Sequence, residues 1–350
     1  MFIADGHCDA LLRMWESPNN TFEQTTVVSE QTLAQGGVNM QVFAVFPPVY
    51  ETRGDQFDII LRQIDLFHQS VVTNGQIAWR PCTPIVATEN KTRAILALEG
   101  ADFVSDDWMR WRLLKRLGVE SVGLTWNESN HLASGCMETR GSGLTNRGRN
   151  VVDFLAKEGM ILDGAHLNEA SYFETVERSG SFFVSHANSR NIHEHPRNLT
   201  SEQLQAIKQK NSLVGMTFFP KFINGTKKAT YKDLFEHIDD IAGRIGIEHV
   251  GFGSDFDGIT TAVSGLEDSG QFPQLIEEML KHYSDTDVKR VAGENYRRFY
   301  NDHVQKEEGN FCQQTDTSIE EIQNLHTDCL FDNQLCYNAI NRNEERGSWH

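Results

Sequence analysis

Eight short apolar runs, separated by amphipathic stretches, constrain the fold of this chain more than any other feature. The runs are rich in β-branched or aromatic residues and cover positions 2–5, 40–46, 94–98, 121–125, 160–163, 182–185, 213–219 and 250–253. The stretches between them carry apolar residues at helical spacing, as at 58–72, 108–117, 151–158, 201–209 and 231–244. Strands that alternate with helices in this way predict repeated βα units and a parallel sheet.

Eight such units favour an α/β fold of the closed (β/α)8 type, the TIM barrel. An open doubly wound sheet is the rival architecture, but no Gly-x-Gly-x-x-Gly follows the first run, as a nucleotide-binding fold would require. We assign residues 1–306 to the barrel. Residues 307–350 are polar, rich in Asn, Gln and Glu, and thinly apolar. This composition predicts a poorly ordered C-terminal extension.

Charge and composition argue against several classes of partner. The formal net charge is −17, with Lys+Arg 32 against Asp+Glu 49, so a nucleic acid or an anionic membrane surface would be repelled. No stretch approaches the roughly 20 apolar residues of a membrane span. The first residues lack the basic and apolar segments of a secretory signal, and the six cysteines are irregularly spaced. The expectation is a cytoplasmic protein, and the sequence leaves a homodimer open.

Ligand-type side chains lie at the ends of four predicted strands. In a barrel of this type, reactive groups lie at the C-terminal ends of the strands. His7 and Asp9 follow the first strand, and the third, fifth and sixth strands lead to Glu99, His166 and His186. Imidazoles and carboxylates together suit Zn²⁺, and five of them exceed what one tetrahedral site needs. The pattern predicts a binuclear site at the C-terminal face, with Glu99 bridging two ions about 3.5 to 4 Å apart.

Other polar residues near these strand ends receive different interpretations. Asp255, at the end of the eighth strand, offers a further acid over the same mouth. Asp257 precedes a glycine and is interpreted as structural, while Cys8 should point to the opposite face as a buried thiol. His193 and His195 are followed by a proline and are interpreted as solvated loop histidines.

These motifs, in this order and spacing, resemble those of the membrane (renal) dipeptidases from about residue 3 to about residue 300. The resemblance is carried by the segments 5–9, 98–100, 122–126, 159–166, 184–186, 196–199 and 250–258. It implies a zinc dipeptidase in which His7, Asp9 and Glu99 hold one ion. The second ion would be held by Glu99, His166 and His186.

The same resemblance implies roles for residues around the metal site. Arg197 would bind the substrate's C-terminal carboxylate or polarised carbonyl, although from its sequence context alone it would be a solvated loop arginine. Asp255 would transfer the proton. Trp126 and Phe222 would face the substrate, at positions where the lipid-anchored members have His and Tyr. The missing imidazole removes one stabiliser of the tetrahedral intermediate.

The predicted reaction is hydrolysis of the peptide bond of a small dipeptide. A hydroxide that bridges two ions supplies the nucleophile, because the ions lower the pKa of water towards about 7. Two alternatives stay open. One is another amide or lactam hydrolase of the same barrel type, and the other is a metal-binding homologue with little turnover, suggested by Trp126 and Phe222.

Overall fold

The computed structural model describes residues 1–17, 21–48, 56–73, 75–88, 91–138 and 140–307. Residues Met1–Gln305 form one compact unit. A second unit begins at Lys306, and almost all of it lies outside the described residues. The predicted extension at 307–350 therefore stays a prediction, as does the boundary at residue 306.

Eight parallel strands close into a barrel. The strands of the described chain are β1 (Ala4–Cys8), β2 (Met40–Val45), β3 (Ile77–Trp79), β4 (Thr92–Glu99), β5 (Val119–Gly123), β6 (Ile161–Asp163), β7 (Phe182–Ala187), β8 (Val214–Met216) and β9 (Val250–Phe252). The ring closes because β1 pairs with both β2 and β9. The short β3 is additional and was not predicted. It pairs with the first residues of β4, and β5 pairs with the later residues of the same strand. The predicted (β/α)8 barrel is confirmed.

Helices surround the ring. They are α1 (Ala10–Glu16), α2 (Phe22–Thr25), α3 (Glu30–Gly36), α4 (Gln56–Leu66), α5 (Trp108–Arg116), α6 (Asn146–Lys157), α7 (Glu169–Arg178), α8 (Ser201–Gln209), α9 (Pro220–Ile223), α10 (Tyr231–Ile245), α11 (Phe272–Met279), α12 (Asp285–Lys289) and α13 (Asn295–Glu307). The local sequence determines where several helices begin. Thr200 before α8 and Thr230 before α10 each accept, through the side chain, a hydrogen bond from the backbone N–H three residues further along, in capping boxes. No helix in these ranges is long and apolar enough to cross a membrane.

The last part of the described chain, after α11, is not one continuous helix. There α12 runs into a π-helical turn, Arg290–Glu294, and then into α13. The turn packs tightly, because a side chain at Gly293 would collide with Phe2 and with the backbone nitrogen of Ala4, the first residue of β1. The wide turn redirects the chain, so that α13 presents Tyr296 and Tyr300 to the barrel.

Two apolar clusters divide the core. Alternate residues of β2 and β4 belong to different clusters: Val42 and Ala97 to a smaller inner one, Phe43 and Leu98 to the layer between strands and helices. Tyr296 joins the inner cluster and is fully buried. The barrel interior is therefore filled by a side chain from α13 as well as by its own strands.

Tyr296 fits because glycines line part of the interior. A Cβ at Gly6 would collide with the Tyr296 hydroxyl, and one at Gly251 would press on its ring.

We expect Gly6→Ala to lower the free energy of unfolding by about 1–3 kcal/mol or more, because the packed interior cannot give way. Gly243→Ala is the control: this exposed glycine of α10 has nothing near its Cβ position, so alanine should add about 0.5–1 kcal/mol. Urea denaturation measures both, and a Gly6→Ala variant as stable as the parent would contradict this packing.

Candidate active site

The structure brings the predicted ligand residues together at the C-terminal mouth of the barrel. His7 lies in β1 and Asp9 directly after it, Glu99 ends β4, and His186 lies in β7. His166 follows β6 by three residues. All five side chains are buried. They lie where barrels of this type place reactive groups, and their burial removes competing water from around the charges.

The two carboxylate oxygens of Glu99 face different neighbours. Oε2 lies 3.5 Å from Nε2 of His7, whereas Oε1 lies 2.8 Å from Nε2 of His166 and 3.8 Å from Nε2 of His186. His7 Nε2 also lies 3.3 Å from Oδ2 of Asp9. Glu99 is thus common to both predicted triads, His7–Asp9–Glu99 and Glu99–His166–His186, whose ligand atoms lie within 4.8 Å of one another.

Asp255 belongs to a third group of this kind, with His7 and His186. The sequence placed Asp255 over the same mouth but did not count it among the ligands. Burial raises the pKa of Asp255 well above its usual value, with Asp9 and Glu99 adding to the rise and His7 and Arg197 opposing it. A buried carboxyl group beside two other carboxylates can act either as a proton carrier or as a ligand.

The donor set fits transition-metal cations. Nδ1 of His166 lies 2.9 Å from the side-chain oxygen of Asn127, which assigns the proton to Nδ1 and leaves Nε2 with a free lone pair. Nε2 of His166 faces Nε2 of His186 at 2.9 Å. Burial and the charge of Arg197 lower the pKa of His166 to about 4, so the ring is neutral, as a metal ligand must be.

The carboxylates of the site also require positive charge. Burial alone would raise the pKa of Glu99, but His7 and His166 bring it well below its usual value. In turn Glu99 and Asp9, acting against burial, raise the pKa of His7 well above its own. Buried carboxylates need paired or coordinated cations, and a metal ion bound by His7 would take the place of the proton that these carboxylates otherwise hold on its ring. The residues present therefore fit a site that binds cations.

A second layer of hydrogen bonds orients His186. Ser185 Oγ lies 2.7 Å from Nδ1 of His186. The Asp163 carboxylate accepts hydrogen bonds from the Ser185 backbone N–H at 3.0 Å and from its hydroxyl. When the hydroxyl donates to Asp163, its oxygen accepts from Nδ1–H of His186. The ring's Nε2 is then left with a lone pair that points to the site.

Three residues of the mouth have left-handed backbone conformations. They are His166 (φ 65°), Asp255 (φ 66°) and Asp257 (φ 67°). Such conformations are rare outside glycine and concentrate at functional sites.

Asp257 has a structural role, as the sequence suggested, but it acts across the chain and not only within its own turn. Its carboxylate accepts hydrogen bonds from the backbone N–H groups of Val27 and Val28 at 2.9 and 3.2 Å, and so ties two loops together. Cys8 is buried in the outer core, as predicted.

A cavity of about 330 Å³ opens above these residues. Arg197, Trp126 and Phe222, which the sequence assigned to the substrate, all line it. Arg197 is only 3% exposed, so the solvated loop interpretation is wrong. Its guanidinium donates one hydrogen bond to the His186 carbonyl at 3.0 Å and lies 5.5 Å from the Phe222 ring centre. Among the described residues no carboxylate pairs with this arginine.

The sequence did not point to Phe46, which lines the cavity and packs on Trp126 with ring centres 5.6 Å apart. Asn127, next to Trp126, lines the cavity as well and contacts His166. The interpretation of His195 as a solvated loop residue is wrong: its ring is half-buried, lines the cavity and lies 4.6 Å from Phe222. The signal was its position, two residues before Arg197. His193 is half-buried and is not among the residues that line the cavity.

The fold is a parallel barrel, and a buried cluster of imidazoles and carboxylates lies at its C-terminal mouth. These two features place the chain among barrel proteins with a candidate metal centre. The family model "Membrane dipeptidase (Peptidase family M19)" matches residues 1–310. The chain therefore belongs to the membrane dipeptidase family, whose members are metallopeptidases. The resemblance found in the sequence is confirmed.

Individual relatives agree with this placement. Dipeptidase verJ of Clonostachys rogersoniana is 32% identical over 71% of this chain and 66% of its own length. The alignments with four curated relatives span between 50% and 66% of their lengths. A metallopeptidase of Rhodobacter sphaeroides, solved with a phosphinate mimic of the dipeptide L-Ala-D-Ala, has a TM-score of 0.79 at 23% identity, covering 86% of this chain and 98% of that one. The structure of dipeptidase AC gives the same TM-score at 24% identity, with the same coverage of both chains.

Proposed function

We propose that this protein is a dipeptidase that hydrolyses the peptide bond of small dipeptides at a binuclear zinc site. The observation that carries the proposal is the buried Arg197, which has no carboxylate partner among the described residues and shares a cavity with Glu99 and Asp255. A buried guanidinium without a counter-ion is suited to bind a carboxylate brought by a ligand. A cavity of about 330 Å³ suits a small molecule. The dipeptide mimic bound to the Rhodobacter sphaeroides relative supports the same substrate class.

The metal would be held by the residues already described. His7, Asp9 and Glu99 would bind one ion, and Glu99, His166 and His186 the other. Two such ions would activate a water molecule as the hydroxide nucleophile and polarise the scissile carbonyl.

The protein's own groups would perform the remaining steps. Arg197 binds the substrate's C-terminal carboxylate and so fixes the peptide bond relative to Glu99 and Asp255. Asp255 accepts a proton as the bond is attacked and passes it to the leaving amine, which would otherwise depart as a strongly basic anion. Trp126 and Phe222 cover the substrate's side chains and keep bulk water from the site.

The test is an assay of the zinc-loaded protein on a panel of dipeptides, with N-acyl amino acids and lactams in parallel. We expect release of free amino acids from dipeptides. Turnover of N-acyl amino acids or lactams without turnover of dipeptides would favour the alternative hydrolase. Metal binding with no turnover of any compound would identify a binding homologue instead.

The hydrogen bond from Ser185 to His186 gives a prediction of its own. Ser185→Ala should weaken zinc binding about 10- to 100-fold, because His186 loses the partner that fixes its ring. Ser181→Ala is a matched control on the same segment, since Ser181 hydrogen-bonds Nδ1 of His303 at 2.9 Å, away from the predicted ligands. Competition with a chelator of known affinity measures both variants. Equal zinc affinity in the two would show that Ser185 does not orient the ligand.

A further inference from the structure

His195 lies in the cavity wall with one ring nitrogen already used. The backbone N–H of Arg197 donates to Nδ1 of His195 at 3.1 Å, so Nδ1 is an acceptor and carries no proton. A neutral imidazole has one N–H, which must then be on Nε2. Among the described residues, no hydrogen-bond partner is found for this Nε2.

The ring is held in place on its apolar side as well. Its centre lies 4.6 Å from the centre of Phe222, and the Arg197 guanidinium lies 5.5 Å from the same Phe222 centre. Burial, followed by the charges of Arg197 and Lys221, lowers the pKa of His195 to about 4, so the ring is neutral at pH 7. His195 and Arg197 thus present a neutral and a charged donor around one aromatic ring.

From this geometry we infer that His195 is a substrate-binding residue that donates an Nε2–H hydrogen bond to the carboxylate held by Arg197. The inference rests on the proposed function and adds a recognition element to it. Of the histidines that line the cavity in the described part of the chain, His195 is the one outside the predicted metal triads. A carboxylate has two oxygens and accepts several hydrogen bonds, so a second donor beside Arg197 adds affinity and orientation.

Two amide substitutions distinguish the roles of the two ring nitrogens of His195. His195→Asn keeps an acceptor near the position of Nδ1 but has no donor that reaches the position of Nε2. His195→Gln has the longer reach and can place an N–H near Nε2, but it loses the acceptor for Arg197. A substrate-binding role predicts that His195→Asn raises KM about 10- to 100-fold with little change in kcat, while His195→Gln stays close to the parent. His193→Asn, in the neighbouring ring, should match the parent.

The reverse order, with His195→Gln impaired and His195→Asn normal, would show that the ring only supports the Arg197 loop and would overturn the inference. Equal losses in both variants, or none in either, would also overturn it. Melting temperature and zinc content are measured on each sample, so that a folding defect is recognised.

Binding of the phosphinate mimic of L-Ala-D-Ala, followed by calorimetry, gives a readout independent of turnover. If the parent cleaves no dipeptide but His195→Asn binds the mimic about 10-fold more weakly than His195→Gln does, the dipeptidase proposal fails and the inference stands. If the parent binds no mimic, the inference fails.

Discussion

Asp255→Asn is expected to fold normally and retain both ions, yet to lose at least about 10²-fold in kcat, within the 10²- to 10⁴-fold range of general acid and base catalysis. Asparagine has nearly the shape of aspartate and tolerates the left-handed backbone at this position. The substitution removes the group that would accept the proton. Metal content, melting temperature and kcat are measured on the same sample.

Asp257→Asn is the matched control. Asp257 lies in the same loop, has the same left-handed backbone, and holds Val27 and Val28 through its carboxylate. Its amide variant should lose stability while the folded molecules turn over normally. Loss of an ion from Asp255→Asn would identify Asp255 as a ligand, as its grouping with His7 and His186 allows. Near-parental kcat would remove it from the mechanism.

Glu99→Gln should have the other large effect, the loss of zinc from both sites together with nearly all activity. The two oxygens of Glu99 face separate sets of imidazoles, and glutamine offers one oxygen, one N–H₂ group and no charge. The parent should bind about two ions per chain by elemental analysis. One ion or none in the parent, with unchanged binding in Glu99→Gln, would exclude the binuclear site.

Glu120→Gln is a control of equal burial, since both glutamates are 8% exposed. Glu120 lies outside the candidate ligand groups. Burial raises the pKa of Glu120 to about 7, although the charge of Arg93 opposes the rise. Its amide variant should bind as much zinc as the parent. A comparable loss of zinc would mean that removal of any buried carboxylate disturbs the barrel, and that Glu99 has no special role.

The sequence predicted the features that depend on local order. Alternating apolar runs indicate strands, and in a parallel barrel the strand ends share one face, so the positions of Glu99 and His186 along the chain were enough to assign them to one site. Features that depend on contacts through space could not be assigned in this way. Asn127 orients His166 from 39 residues away, and the cavity-facing side of His195 depends on the fold of its own loop. From residue type and position, His193 and His195 received the same interpretation as solvated loop histidines. Of the two, His195 lines the cavity and His193 does not.

Tyr296 also couples the assembly of the barrel to the order of synthesis. Its hydroxyl packs against Gly6 of β1, and its ring against Gly251 of β9. A growing chain that has left the ribosome only as far as β9 can bring its strands together, but their interior still has a void where Tyr296 belongs. We therefore expect no stable barrel before α13 emerges. Until then we expect the predicted ligand residues to lack the fixed positions that a metal site requires.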